Sequence, residues 1–414
     1  MMLNKTQIKL QHINSLLYLV AMLPLFSLKM VSISIIIFLV TALFNFFHRK
    51  EKLESINYKY ILLFAAPFFL NILALLYTNN YQISLKILEK NLAIIIFPVV
   101  FFFLKPFYRN SQFIRFIQVY ILSCFAMVVF SIIYVLVNVS NIVVNNTNNN
   151  NYQSVVKLRE SLDLVPIIGE HTIYYSLLVG VGLLLLYYNR FKSIILNILL
   201  YVFFVLGLLL ASSKGVILAL ILVSICVIFQ KNKNVKRSSL VTVVFLVGIS
   251  LLGYFSPLKV RIESFFKNKH FYPTGIHYNS VNIRNAIYSC SFSLIDDAGL
   301  FGFSPGDTQV KLNECYKQFD TVAFQKKSYN THNQYLDYLL SFGFVGLFIM
   351  LFVYFQYLKI ALKANNRFYL NFLIFFYIAF LTENILARNT GIILFNLFNC
   401  LMGYRVLILK ETYE

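Results

Sequence analysis

Apolar runs of roughly 16–25 residues recur from one end of this chain to the other, each long enough to cross about 30 Å of hydrocarbon as a helix. A backbone that crosses lipid must satisfy its own polar groups, so these runs fix the fold class before any motif is considered. The chain reads as an all-α polytopic membrane protein of twelve transmembrane helices. The spans fall at 13–28, 30–47, 59–77, 87–104, 113–137, 171–188, 194–211, 215–229, 240–255, 334–358, 369–386 and 390–409. Only 13% of the 414 residues are charged and 59% are hydrophobic, as such an architecture requires. There is no Trp, so Tyr and Phe supply the interfacial anchors. The first run lacks a small-residue cleavage site and is expected to stay as a span rather than act as a signal peptide.

Basic residues orient the bundle. Alternate short connections carry Arg49, Lys50, Lys52 and Lys59, then Lys105, Arg109 and Arg115, then Arg190 and Lys192. The same side continues with Lys231, Lys233, Lys236 and Arg237, then Lys359, Lys363 and Arg367. The opposite connections carry single charges: Lys29, Lys86, Lys214 and Arg388. By the positive-inside rule both termini are cytoplasmic. Much of the net charge of +20 is this bias, a topology signal beside anionic lipid, so no nucleic-acid partner is expected.

Two longer connections then face outward: 138–170, with its Asn-rich run at 145–151, and 256–331. The second is too short to bury a core of its own and is expected to pack on the bundle as a helical cap within a single membrane domain. Cys290 and Cys315 both fall in it, where a disulfide is chemically permitted but not required. No CxxC spacing occurs, and no metal site is expected.

With orientation set, the unusual polar residues collect on the outer surface. His171 opens the sixth span, Lys214 sits in the break Ala211-Ser212-Ser213-Lys214-Gly215, and Arg284 lies in the cap. His332 opens the tenth span in Asn330-Thr331-His332-Asn333-Gln334, and Glu383 and Arg388 end the eleventh. Each has a plain alternative: an interfacial histidine, a snorkelling lysine, a structural Glu–Arg pair. His332 has the most specific context. Thr331 and Gln334 match a capping box, which would put His332 in the first helical turn, where the macrodipole favours a neutral imidazole able to accept a proton. Asn333 and Asp337, four apart, would share a helix face and orient a substrate hydroxyl. In the cap, Arg284, Tyr288 and Ser291 fall on one face of a helix expected over 282–295. The Gly299–Asp307 loop suits movement or close backbone approach.

At these residues the chain resembles the O-antigen ligase/polymerase superfamily of bacterial envelope proteins. Four blocks carry the resemblance: Ser212–Gly215, Asn282–Ala286, Gly299–Asp307, and His332–Leu336 followed by Gly343 and Gly346. The Glu383–Gly391 block looks like the version in Bacteroidetes-type members. The resemblance implies a GT-C-like glycosyltransferase of the bacterial inner membrane with a periplasmic active site. Such a protein moves a glycan from undecaprenyl pyrophosphate to an acceptor sugar, such as lipid A-core, using no nucleotide sugar, metal or other cofactor. By the same resemblance, His332 and Arg284 are catalytic: the first as base on the acceptor hydroxyl, the second on the donor pyrophosphate. Lys214 falls where the family usually has Arg. Lys214, His171, Asn333, Asp337, Glu383 and Arg388 complete the expected substrate-binding set. A repeat-unit polymerase shares this donor and chemistry and stays open. A twelve-span transporter fits less well, because its functional residues would sit near the bilayer midplane.

Overall fold

Helices follow the apolar runs. The computed structural model describes residues 15–48, 58–107, 110–144, 157–230 and 270–409. Eleven of the twelve expected spans coincide with helical segments, and the expected span at 240–255 lies outside the described residues. The first is the shortest, a 3-10 helix at Leu16–Leu25 containing Pro24 and packed along the fifth span. Next come α1 (Leu28–Phe47) and α2 (Tyr58–Ala74). The expected span at 87–104 is broken into α3 (Tyr81–Lys90), α4 (Ala93–Pro98) and a π-helical turn at Val99–Leu104. Pro98 cannot donate to the preceding turn, a local cause for that change of winding. Helix α5 (Asn110–Val144) runs past the expected end at 137, so the connection expected over 138–170 begins later. Helices α6 (Thr172–Tyr188), α7 (Ile194–Ala211) and α8 (Lys214–Phe229) follow. Among the described residues, six stretches are both long and apolar enough to cross a membrane, and shorter apolar helices complete the bundle.

The described part of the cap is helical: α9 (Ser280–Ser293), α10 (Ile295–Ala298), α11 (Pro305–Tyr316) and α12 (Val322–Lys326). Cys290 of α9 and Cys315 of α11 form a disulfide. The bundle then resumes with α13 (Gln334–Lys363), α14 (Arg367–Phe380) and α15 (Asn389–Tyr404). The last span is the innermost, with 83% of its apolar window buried.

Two devices seat the cap. Gly343 breaks α13 with φ 67°, which frees the carbonyls of Leu340 and Ser341. The cap loop fills the gap: Phe303 N–H donates to Leu340 O at 2.8 Å and Ser304 N–H to Ser341 O at 3.0 Å. Gly302, at φ 78°, lies so close that a Cβ there would strike the Ser341–Gly343 backbone, and one on Gly343 would strike the Leu300 carbonyl. Broken helix at membrane depth is tolerated because protein backbone re-satisfies it.

The second device is Asp307. Its carboxylate accepts from Thr78 Oγ1 (3.0 Å), Asn79 N–H (2.8 Å), Ser304 Oγ (2.8 Å) and the Asn80 amide. Burial pushes this carboxyl up, yet those four donors outweigh it and hold it below its ordinary value. Asp307→Ala would leave the donors unmet and cost about 2–4 kcal/mol of cap docking. Faster hydrogen exchange over 299–316, with the bundle unchanged, is the expected readout.

Candidate active site

Three residues far apart in sequence meet at one point. Glu383 follows α14 in the turn that leads to α15, and its two carboxylate oxygens are divided between two partners. One oxygen accepts from the Arg284 guanidinium on α9, and the other lies 2.7 Å from His332 Nδ1. Glu383 is 13% exposed, against 35% for Arg284 and 23% for His332, so the carboxylate sits beneath the two groups it holds. Burial pushes the Glu383 carboxyl up, but the His332 hydrogen bond and the charges of His332, Arg284 and His171 prevail and hold it below its ordinary value. The stability this ionised group contributes is therefore fully present above pH 4.5 and is lost only as pH falls through its lowered value.

The backbone around His332 differs from the sequence expectation. The N-cap of α13 is Asn333, whose side-chain oxygen accepts from Tyr335 N–H (2.9 Å) and Leu336 N–H (3.1 Å). His332 thus precedes the helix, in the left-handed region at φ 45°, and the Thr331/Gln334 capping box does not form. Thr331 Oγ1 instead donates to Asn384 Oδ1 and Gln334 Oε1 accepts from Leu386 N–H, each at 2.8 Å. The physical reason is competition: Asn is an equally good N-cap and lies two residues closer to the apolar run. Asn330 Oδ1 accepts from His332 N–H at 3.1 Å, and Tyr288 Oη donates to the His332 carbonyl at 3.4 Å. The residue is thus held at three points: its ring, its N–H and its carbonyl.

The other expected residues sort as follows. Asn333 is occupied as a cap, with Nδ2 also on the Leu381 carbonyl at 3.2 Å, so it is a scaffold for the loop. Asp337 falls in the first turn of α13 and points toward a separate cavity rather than sharing a face with Asn333. Arg284 and Tyr288 do face the site, whereas Ser291 is fully buried and bonds back to the Ile287 carbonyl. Lys214 opens α8 beside Gly215, whose Cα packs on Thr382, next to Glu383. His171 caps α6, its ring accepting from Ile173 N–H at 3.5 Å. Burial, then the positive charges of Arg388, Arg159 and Lys327, push His171 down to about 4 against the opposite pull of Glu383. It is therefore a neutral ring at neutral pH. The Arg388 guanidinium lies 5.6 Å from the Tyr174 ring.

Sequence reasoning missed a supporting ring. Arg159 Nε donates to the Ala211 carbonyl at 2.9 Å, bringing a further cation to the Lys214 break. Glu170 Oε2 accepts from Thr390 Oγ1 at 2.6 Å, joining the start of α6 to the start of α15. Burial raises the Glu170 carboxyl despite that bond and the charge of Arg388. Glu170 and Arg159 both lie close to His171 or to the Lys214 break in sequence or space, but their pairing needs the fold.

Chemically the arrangement offers a histidine fixed by a carboxylate through Nδ1, which leaves Nε2 to face a ligand. An arginine is anchored by the same carboxylate through one of its five donors. Arg388, Arg159 and Lys327 act on His171, which in turn acts on Glu383. Among the described residues, no group of three His, Cys, Asp or Glu could hold a metal ion. No curated protein matches the chain. A family model described as O-Antigen ligase matches residues 199–351, from α7 through the Lys214 break, Arg284 and the Gly299–Asp307 loop to His332 and the first half of α13. Over that stretch the chain is similar to the O-antigen ligase family.

Proposed function

We propose that the protein is a membrane glycosyltransferase that moves a glycan from a polyprenyl pyrophosphate donor to an acceptor sugar, in the manner of an O-antigen ligase. The observation that carries this reading is the Arg284–Glu383–His332 linkage. It unites the two groups such a transfer needs, a base for the incoming hydroxyl and a cation for the departing pyrophosphate.

In this reading the acceptor oxygen attacks the anomeric carbon of the donor sugar while its proton passes to His332 Nε2. The bond from that carbon to the pyrophosphate oxygen breaks, and polyprenyl pyrophosphate leaves with the electron pair. Glu383 keeps Nδ1 protonated and stabilises the imidazolium that forms. Arg284, with Lys214 and Arg388 nearby, stabilises charge on the leaving group, most strongly where water is excluded. A single displacement inverts the anomeric carbon. The Cys290–Cys315 bridge supports an oxidising, outer compartment for the cap.

Arg284→Lys keeps the charge but loses the planar fork that can hold Glu383 and a phosphate at once. Transfer should fall about 10–100-fold, as expected for losing one charge-assisted bond, and the apparent donor affinity should weaken with it.

The reading is tested by the envelope glycans of a strain lacking the protein. Core-only lipopolysaccharide with long glycan stranded on lipid pyrophosphate supports the ligase. Core bearing a single repeat supports a repeat-unit polymerase, which uses the same donor and the same base. An unchanged glycan profile overturns both.

A further inference from the structure

A second site lies on the other side of the loop that holds His332. A cavity of about 260 Å³ runs between α2, α3, α11, α13 and α15, a volume of roughly nine waters at about 30 Å³ each or one pyranose ring. Its wall toward the active site is built from Asn330, Gln334, Leu386 and Ala387, the segments that flank His332 and follow Glu383. Its lining is unusual for space inside a membrane bundle. Six carboxamides face it: Asn71, Asn91, Gln309, Asn330, Gln334 and Asn396. Tyr338, Tyr354 and Tyr357 supply aromatic surface. One lysine, Lys90, and one carboxylate, Asp337, leave it formally neutral. Lys90 is exposed and marks the mouth, while Gln334, Asn396, Thr308 and Ser341 are buried.

We infer that this cavity binds one uncharged sugar ring, the residue of the acceptor glycan adjacent to the hydroxyl presented at His332. The inference rests on the transferase reading for the identity of the saccharide as acceptor, and on the lining for its chemistry. A carboxamide presents two donors and an acceptor in one plane, which suits neighbouring ring hydroxyls. Asn71 and Asn396 each use one amide hydrogen on their own helix, to Pro67 O and Ile392 O at 2.8 Å, which leaves the rest of each group for a ligand. Tyrosine faces suit the C–H face of a sugar. A phosphate or pyrophosphate would need several cations converging on it, whereas this lining offers Lys90 alone, exposed at the mouth. A lipid tail would leave the free halves of the Asn71 and Asn396 carboxamides unmet, which is costly. The two sides of the His332 loop therefore divide the substrates by charge.

The test reads saccharide binding without any donor. Saturation-transfer NMR on the purified full chain in nanodiscs would use methyl glycosides of glucose, galactose and mannose as probes. At least one should receive saturation from the wild type, and inorganic pyrophosphate should not displace it. The pair Asn71→Leu and Asn396→Leu should weaken binding at least tenfold. Ile87→Trp, which fills the cavity from α3 without touching the His332 loop, should abolish it at an unchanged melting temperature. Glycoside binding that is absent from the wild type, that survives Ile87→Trp, or that pyrophosphate displaces would overturn the inference. His332→Ala separates the two readings: it should lose transfer and keep glycoside binding. Glycoside binding with no transfer by the wild type counts against the transferase alone, and transfer that persists in Ile87→Trp counts against the cavity alone.

Discussion

His332→Ala should lower glycan transfer by about 10²–10⁴-fold, the usual worth of a positioned general base, while the protein remains folded and inserted. An acceptor hydroxyl is a weak nucleophile, and His332 is the histidine whose orientation the structure fixes most fully. Its Nδ1 is on Glu383, its N–H on Asn330 and its carbonyl on Tyr288. A non-glycine residue at φ 45° costs stability unless its surroundings hold it there, and such positions cluster at functional sites. Folding should survive, because the imidazole is part-exposed and Arg284 still pairs with Glu383 in the variant. Steady-state transfer with a defined lipid-linked donor checks the rate. A melting curve that matches wild type checks the fold. Transfer within threefold of wild type would remove His332 from the chemistry.

Glu383→Gln should cost about 10²–10³-fold, from two causes acting together. A carboxamide has only one oxygen to give, so it cannot accept from both the His332 ring and the Arg284 guanidinium. It also carries no charge to stabilise an imidazolium. Because Glu383 acts through its two partners, the effects should not add. His332→Ala with Glu383→Gln should be little worse than His332→Ala alone, as for residues that work as a unit. Full multiplication of the two losses would show that Glu383 acts independently of His332. A variant that transfers like wild type would show that the carboxylate only ties the cap to the bundle.

Much of this site is legible along the chain because each part sits at a conspicuous place. Arg284 is a cation in a cap helix, His332 a polar residue before an apolar run, and Glu383 a carboxylate at the end of one. What cannot be read is how they pair, since the partners of Glu383 lie 99 and 51 residues away and only packing of α9, α13 and α14 brings them together. The cap of α13 is misread for a local reason: Thr331 and Asn333 both suit an N-cap, and the sequence does not say which wins. The Gly299–Asp307 loop is foreseen as a place of movement or close approach, and close approach is what it does, against the break at Gly343. The clamp of Asp307 on Thr78, Asn79 and Asn80 spans more than two hundred residues and leaves no local signal. The cavity is hidden for the same reason. Its amides come from five separate segments, each unremarkable alone.

The central claim is that one site, built from Arg284, Glu383 and His332, transfers a glycan off a pyrophosphate lipid. The measurement that tests it most directly is a single reaction of the purified protein with a polyprenyl-pyrophosphate oligosaccharide of known anomeric configuration and a lipid A-core acceptor. The product linkage is read by NMR and the released lipid by mass spectrometry. The account predicts an inverted linkage, intact polyprenyl pyrophosphate as the other product, and neither in His332→Ala. A retained linkage, or wild-type yield from the His332 variant, would contradict it.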